Sequence, residues 1–226
     1  MNKDNDNLVR VELHAHTAFS KDCLVAPKEL VQACVKKGIH RIAITDHNEI
    51  EGAFEAKAHD PERVIVSEEI ETSQGELIGY FMTEWVPPHL EPMDVIERLH
   101  AQGAVISVPH PFDTVRGQHW TEAELLEIVP HIDAIETFNA RCLSHKPNRL
   151  AADFARRHGL LETVGSDAHS RWEVGRAALE TPVFHDARGF LEALKDAQAH
   201  TQLSPAFVHL FSRYAVAYKK ARRLLT

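Results

Sequence analysis

The pattern of apolar and polar positions divides the chain into short apolar runs and longer segments in which an apolar residue recurs every three or four positions. The short runs predict buried strands near residues 8–16, 39–45, 64–69, 104–108, 132–136 and 162–165. The longer segments predict helices near residues 27–37, 50–58, 92–102, 122–129, 147–158, 189–199 and 206–225. Residues 77–82 also predict a strand, which we expect to pair with residues 70–72 in a local hairpin.

Strands and helices alternate six or seven times along the chain, which is typical of parallel strands with helices packed outside them. No spacer rich in Gly, Pro or Ser divides the sequence, and it contains no internal repeat. We therefore expect a single domain over residues 1–226, with the C-terminal helix near residues 206–225 docked on it. A chain of this length can bury a sizeable core.

Composition narrows the classes of function. The 25 basic and 33 acidic side chains give a net charge of −8, which argues against a broad nucleic-acid or membrane surface but allows a local basic pocket. Cys23, Cys34 and Cys142 form neither a Cys-x-x-Cys pair nor an even disulfide framework, which favours reduced thiols in the cytoplasm. Without a long apolar run or an apolar signal segment, we expect a soluble, cytoplasmic protein.

Residue types that bind metal ions follow the predicted strands at their carboxyl ends. These residues are His14 and His16, Asp46 and His47, Glu69, His110, Glu136, and Asp167 and His169. In α/β barrels such strand ends meet at one face, where active sites gather. On a strand, His14 and His16 project to the same side and form half of a divalent-metal site. The sequence therefore predicts a metal centre at this face.

Five motifs, in this order and spacing, resemble those of the PHP (polymerase and histidinol phosphatase) family: His-Ala-His-Thr, Ile-Thr-Asp-His-Asn, Ser-Glu-Glu-Ile, Pro-His-Pro and Gly-Ser-Asp-Ala-His. The resemblance covers about residues 11–175. It implies a distorted (β/α)7 barrel with parallel strands and outer helices. It also implies two or three divalent metal ions, commonly zinc, manganese or iron. Most characterised family members hydrolyse phosphoesters.

The resemblance implies three groups of ligands, one for each metal ion: His14, His16, Glu69 and Asp167; Glu69, as a bridge, and His110; and Asp22, His47 and His169. The remaining ligand of the second metal is Glu136 or Asn139, and Glu68 is the alternative to Glu69 as the bridge. Many family members have histidine at the position of Asp22, whereas compact members more often have aspartate. That difference would retune the third metal site.

Phosphoester hydrolysis also needs cationic side chains that bind the phosphate oxygens. Arg116 and Arg141 lie in predicted loops near the metal ligands, and a guanidinium can bind phosphate in bidentate fashion. We therefore assign catalytic roles to Arg116 and Arg141. The resemblance implies catalytic roles for Glu69 and Asp167 as well, through the metal ions that they would hold. The predicted reaction is attack by metal-bridged hydroxide on a small phosphomonoester, or on a phosphodiester of a nucleotide or RNA end.

Two other functions are consistent with the same residues. One is metal-dependent hydrolysis of a C–N or carboxylic ester bond, which needs no phosphate-binding arginine. The other is a non-catalytic scaffold. The basic run at residues 219–223 predicts a solvated helix face, with contact to nucleic acid or another subunit as the alternative. We expect a small phosphorylated substrate and no obligatory protein partner.

Overall fold

The computed structural model describes residues 8–117 and 119–224. In this part of the chain the strands are β1 (Leu8–Ala15), β2 (Arg41–Ile44), β3 (Val64–Glu71), β4 (Glu76–Tyr80), β5 (Val105–Val108), β6 (Ala134–Asn139), β7 (Leu161–Gly165), β8 (Ala177–Pro182) and β9 (Gln198–Thr201). The helices are α1 (Pro27–Lys36), α2 (Glu51–His59), α3 (Pro92–Ala101), α4 (Glu122–Ile128), α5 (His145–His158), α6 (Ala187–Lys195) and α7 (His209–Arg223). Short 3₁₀ turns cover Val129–His131 and Ala206–Val208.

The strands form one sheet in the order β7-β6-β5-β4-β3-β2-β1-β8-β9. Strands β1, β2 and β3 pair in parallel, as do β5, β6 and β7, whereas β4 is antiparallel to both of its neighbours. Backbone hydrogen bonds from His16 to Ala168 and from Ala168 to His14 join the end of β1 to the segment after β7. These bonds nearly close the sheet into a barrel of mostly parallel strands, which confirms the predicted fold class and the β3–β4 hairpin.

Local sequence signals set the helix ends. Helix α1 begins at Pro27, where the missing N–H costs no hydrogen bond, and Gly38 follows it with a φ of 65°. Helix α5 begins after Ser144, whose hydroxyl accepts from the N–H of Lys146. It ends at Gly159, whose φ of 68° is the left-handed conformation that favours glycine. These ends lie within two residues of the predicted ones.

Strands β8 and β9 were not predicted. Strand β8 pairs antiparallel with the first half of β1, and β9 pairs with β8 at the edge of the sheet. The helix predicted over residues 189–199 is wrong at its end, because α6 stops at Lys195 and residues 198–201 form β9. All four residues of β9 are exposed, so the strand has no buried, alternating apolar face for the sequence to reveal. The predicted end of the last helix, residue 225, lies outside the described residues.

The core has two parts, one on each face of the sheet. Val64 and Val66 of β3 pack with residues of the outer helices, such as Ala53 of α2. Ile65 packs in the second part, which fills the inside of the barrel. Because side chains alternate along a strand, Glu69 lies on the same side of β3 as Ile65, directly above this inner core. The described part of the chain includes no helix with both the length and the apolar character needed to cross a membrane.

Candidate metal centre

His14, His16, Glu69 and Asp167 meet in the barrel interior at the carboxyl ends of β1, β3 and β7, and all four are fully buried. Nε2 of His14 lies 3.3 Å from Oε2 of Glu69. Nε2 of His16 lies 3.5 Å from the same oxygen and 3.2 Å from Oδ1 of Asp167. The structure thus brings together the residues expected around a first metal ion.

Glu69 lies at the centre of a larger cluster. Its Oε2 also lies 3.0 Å from Nδ1 of His47, and its Oε1 lies 2.9 Å from Nε2 of His110. Burial disfavours the carboxylate, but the neighbouring His47 and His14 outweigh burial and hold the pKa of Glu69 well below its usual range. Glu69 is therefore an anionic group shared among four imidazoles, which suits a bridging position. Its neighbour Glu68 takes no part in the cluster and accepts a hydrogen bond from the N–H of Val86.

The third expected group also comes together. Oδ2 of Asp22 lies 2.9 Å from Nε2 of His169 and 3.7 Å from Nε2 of His47. The rings of His16 and His169 lie 4.2 Å apart, so this group adjoins the first. Although burial opposes ionisation of Asp22, His169 and His47 lower its pKa, which keeps it a carboxylate.

Hydrogen bonds donated by Nδ1 orient two of the histidines. Nδ1 of His14 lies 2.9 Å from Oε1 of Glu136, and Nδ1 of His16 lies 3.0 Å from the hydroxyl of Ser20. The Ser20 hydroxyl donates to Asp46 and can therefore only accept from His16. With Nδ1 acting as the donor in both rings, Nε2 is the ring atom left to bind a metal ion. Asp46 itself accepts hydrogen bonds from the backbone N–H of Thr17 and from the hydroxyl of Ser20.

Glu136 and Asn139, the two candidates for the remaining ligand of the second metal, are engaged elsewhere. Oε2 of Glu136 accepts from the backbone N–H of His110 at 2.8 Å and from Nδ2 of Asn139 at 2.9 Å, while its Oε1 faces His14. Oδ1 of Asn139 accepts from the backbone N–H of Arg141 at 2.9 Å. This geometry favours an orienting role for both residues.

Glu76 is a buried member of the cluster that sequence reasoning missed. Its two carboxylate oxygens lie 3.8 Å from Nδ1 of His47 and 3.8 Å from Nε2 of His110. Burial, together with the negative charge of Glu69, raises its pKa. The predicted hairpin was the available signal, because β4 pairs with the strand that carries Glu69 and Glu76 begins β4.

Arg116 lies at the rim of the cluster, with its side chain 22% exposed. Its Nη2 forms an ion pair with Oδ2 of Asp167, and its Nε lies 3.1 Å from Oδ2 of Asp113. Burial disfavours the charged guanidinium, but Asp167 and Glu69 raise its pKa well above its usual value. A cationic group therefore stays beside the candidate metal ligands while it still reaches solvent.

Arg141 lies behind the cluster and away from solvent. Its Nη1 lies 2.8 Å from Nδ1 of His169, an atom that also lies 2.8 Å from the carbonyl oxygen of Asp167, and its Nε lies 3.1 Å from Glu173. Its Nη2 donates to the carbonyl of Val208 at 3.0 Å and to the hydroxyl of Ser212 at 2.9 Å. All three guanidinium nitrogens are thus engaged inside the protein. The structure does not bring Arg141 to the position of a phosphate ligand, and its contacts favour support of His169.

Two of the cluster residues have strained backbones. His110 has a φ of 27° and Asp167 a φ of 52°, in the left-handed region that side-chain-bearing residues rarely adopt. Each residue lies two positions after the end of a strand, and both belong to the candidate metal cluster. Such conformations persist where the surrounding structure holds them, commonly at functional sites.

Buried polar atoms without a hydrogen-bond partner test whether these residues fit a metal ion. Within residues 8–117 and 119–224, six such atoms belong to this cluster: Nε2 of His14, Nε2 of His16, Oδ1 of Asp22, Nδ1 of His47, Oε2 of Glu69 and Oδ1 of Asp167. Each would cost about 1–3 kcal/mol if left unsatisfied. Divalent cations would satisfy them together, and mixed imidazole and carboxylate donors suit zinc, manganese or iron. The residues present therefore fit a divalent-metal centre.

Two solved structures share this architecture. A two-domain protein from Bacteroides vulgatus, described as containing a predicted PHP-like metal-dependent phosphoesterase, aligns with a TM-score of 0.71 and 18% identity. The alignment covers 86% of this chain and 65% of that protein, so the chain spans just under two thirds of its length. The lesion-specific endonuclease PfuEndoQ from Pyrococcus furiosus aligns with a TM-score of 0.62 and 17% identity, over 85% of this chain and 57% of its own. At these identities the likeness concerns the fold alone.

Sequence comparison identifies the family. The profile of the PHP domain matches residues 12–81, and that of the PHP-associated segment matches residues 145–199. An uncharacterised protein of Methanocaldococcus jannaschii is 38% identical over 176 residues, which are 76% of this chain and 70% of the relative. Because this identity extends over most of both chains and agrees with the matched profiles, the chain belongs to the PHP family.

Proposed function

We propose that the protein is a metal-dependent phosphoesterase that holds two or three divalent ions and hydrolyses a small phosphomonoester, or a phosphodiester of a nucleotide or RNA end. One observation carries the proposal: three imidazole nitrogens and three carboxylate oxygens of the cluster are buried without hydrogen-bond partners among the described residues, and the guanidinium of Arg116 pairs with Asp167 beside them. Two structural neighbours, one described as a predicted phosphoesterase and the other as an endonuclease, support phosphoester chemistry.

The proposed ligands keep the three groups expected from the family resemblance, with one change. They are His14, His16, Glu69 and Asp167 for the first ion; Glu69, His110 and Glu76 for the second; and Asp22, His47 and His169 for the third. We propose Glu76 rather than Glu136 or Asn139 because, of these three residues, only Glu76 directs its carboxylate at the ring of His110, and within the described residues its carboxylate oxygens accept no hydrogen bond. Glu136 and Asn139 are hydrogen-bonded to backbone N–H groups. Zinc, manganese and iron remain the candidate ions.

Ions bound there would supply an activated water and neutralise charge on the phosphoryl group. The side chains of the protein have separate tasks. Glu136 and Ser20 fix the two imidazoles through Nδ1, so that each Nε2 faces the centre. Arg116 holds a positive charge at the rim, where its guanidinium can bind two non-bridging phosphate oxygens. Arg141 holds His169 in place from behind.

Metal dependence is the first test. The protein is stripped with a chelator and assayed on p-nitrophenyl phosphate, bis-p-nitrophenyl phosphate and p-nitrophenyl acetate after add-back of zinc, manganese or iron. We expect the phosphate esters to be hydrolysed only after add-back. Turnover of the carboxylic ester alone would favour the alternative hydrolase. Full metal occupancy without turnover of any ester, on a broad panel, would favour the scaffold.

Replacing Arg116 distinguishes phosphoester hydrolysis from the alternative hydrolysis of a C–N or carboxylic ester bond. Arg116→Ala should lower kcat/KM for phosphate esters by about 10²- to 10³-fold, because it removes the cation that binds the phosphoryl oxygens. Arg156→Ala is the matched control, since Arg156 lies exposed on α5 in an ion pair with Asp153. Equal, near-normal activity of both variants on phosphate esters contradicts the proposed role.

We also propose that the protein works in the cytoplasm on a small phosphorylated substrate and without an obligatory partner. The three cysteines support the location only indirectly. Cys23, Cys34 and Cys142 are all free and buried, and burial raises the pKa of each thiol. None of these thiols needs an oxidising environment for the fold.

A further inference from the structure

A cavity of about 490 Å³ opens beside the metal centre, between the loop after β1 and the last turns of α7. Its lining comprises Ala18, Phe19, Lys21, His47, Asn48, Glu49, Lys219, Arg222 and Arg223. His47 belongs to both places, since its Nδ1 lies 3.0 Å from the carboxylate of Glu69. A molecule bound in this cavity would therefore reach the candidate metal ligands.

The cavity is basic in a protein that is otherwise acidic. Helix α7 carries five Lys and Arg residues and no Asp or Glu, whereas the whole chain carries 33 acidic against 25 basic side chains. Glu49 is the acidic residue in the lining, and Lys21 is paired with Glu71 at 2.6 Å. Lys219, Arg222 and Arg223 outweigh Glu49, so the local charge is positive. A basic patch beside a catalytic centre attracts an extended anion.

Helix α7 is held against the rest of the protein at both ends. Near its start, Arg141 donates to the carbonyl of Val208 and to the hydroxyl of Ser212. Near its end, Nζ of Lys219 donates to the carbonyl of Ala18 at 2.6 Å and to that of Ser20. The basic side of the cavity therefore has a fixed position relative to the loop that carries Asp22. A binding site on a fixed element can select a ligand of defined geometry.

An aromatic ring accompanies these cations. Phe19 lines the cavity with 40% of its surface exposed, although it follows buried residues of the β1 end. Proteins that bind single-stranded nucleic acid combine a positively charged groove with aromatic rings on which bases stack. A small phosphomonoester would use neither the ring nor three additional cations.

We propose that this cavity binds the part of a single-stranded oligonucleotide that extends beyond the scissile phosphate. Arg222 and Arg223 contact a neighbouring backbone phosphate, Phe19 stacks on a base, and Lys219 holds the helix in place. This inference rests on the proposed phosphoesterase function and names its substrate class. It also assigns a function to the basic run that the sequence predicted to be a solvated face.

Charge-matched double variants test the inference. Arg222→Gln with Arg223→Gln neutralises the cavity, and Arg213→Gln with Lys220→Gln removes the same charge from α7 at positions that do not line it. Metal-loaded protein is titrated into a short fluorescein-labelled phosphorothioate oligonucleotide, in RNA and DNA versions, over a range of salt concentrations. We expect the cavity pair to weaken binding about tenfold and to flatten the salt dependence by about one or two phosphate contacts. The control pair should change the affinity less than about twofold.

Two further results distinguish the outcomes. Phe19→Ala should weaken binding about tenfold with no change in salt dependence, because stacking involves no counterion release. All variants should hydrolyse bis-p-nitrophenyl phosphate at the wild-type rate, since that ester does not extend into the cavity. Equal losses in both double variants, or no binding by the wild type, would overturn the oligonucleotide site. Absence of bis-p-nitrophenyl phosphate hydrolysis in every protein would instead count against the phosphoesterase function.

Discussion

At the scale of single residues, the candidate centre depends on which atom of each side chain is already used. Glu136 and Ser20 take the Nδ1 atoms of two histidines, and this leaves the Nε2 atoms for the centre. The sequence could place these imidazoles at a strand end, because the alternation of side chains is local. It could not show that Glu136 faces His14, which is 122 positions away in the chain.

Glu76 provides the sharpest test at this scale. Glu76→Gln should lower the number of tightly bound metal ions by one, because a neutral amide is a poor replacement for a carboxylate ligand. Metal content after gel filtration, measured by elemental analysis, checks the result without any assay of activity. Glu71→Gln is the matched control, since Glu71 pairs directly opposite Glu76 in the hairpin and binds Lys21 instead. Unchanged metal content in Glu76→Gln would restore Glu136 and Asn139 as candidates.

The buried Glu68 should make the stability of the protein depend on pH. Burial raises its pKa from 4.5 to about 8, and one carboxylate oxygen has no hydrogen-bond partner among the described residues. The folded state therefore keeps a proton that the unfolded chain releases. The contribution of protonated Glu68 to the free energy of unfolding is complete below the unfolded pKa of 4.5 and is lost as the pH rises towards 8.

Glu68→Gln should remove the fall in stability between pH 4.5 and 8, because an amide does not ionise and can still accept from the N–H of Val86. Relative to the wild type, the variant should gain stability on the order of a few kcal/mol as the pH rises across this window. Urea unfolding of the metal-free proteins at several pH values measures the difference. A constant difference between the two proteins across the window would show that Glu68 is ionised in the folded state.

At the scale of elements, the sequence revealed the apolar strands of the barrel but missed two strands beside β1, the largely buried β8 and the exposed β9. Strands β1, β2 and β3 are rich in apolar residues, whereas β9 has four exposed positions and takes its conformation from pairing with β8. The sequence likewise could not predict the strained backbone of His110, because tertiary contacts impose a positive φ on a residue that does not favour it. Patterning therefore predicted the barrel better than its edge or its loops.

Gly165 at the end of β7 shows how closely two elements of the barrel approach. A Cβ atom added there would overlap the side chains of His14 and Glu136. Gly165→Ala should therefore destabilise the protein by about 1–3 kcal/mol and weaken metal binding, because the His14 ring must move. Gly117→Ala is the control, since among the described residues no atom outside its chain neighbours lies within 4 Å of its added Cβ. Denaturant unfolding of the metal-free protein measures the stability, and competition with a fluorescent chelator measures the metal affinity. Normal values for both would show that β7 can shift without disturbing His14.

At the scale of the whole molecule, the barrel brings acidic groups into one small volume. Glu69, Glu76, Glu136 and Asp167 are all buried near one another, and Asp22 adjoins them. Buried like charges repel one another unless cations accompany them. Repulsion among these carboxylates therefore opposes the compact state at the site where the proposed ions would bind.

Metal binding should therefore be a major contribution to global stability. An ion that binds only the folded state stabilises it by about 2.7 kcal/mol at a hundredfold excess over its dissociation constant. We expect chelation to lower Tm and add-back of zinc, manganese or iron to restore it in a concentration-dependent way. Asp22→Asn should lose only the part of this shift that comes from the third ion.

If residues 1–226 form a single domain, both the stripped and the loaded protein should unfold in one calorimetric transition. Two separate transitions, only one of them sensitive to metal, would instead show that the barrel and another part of the chain fold independently.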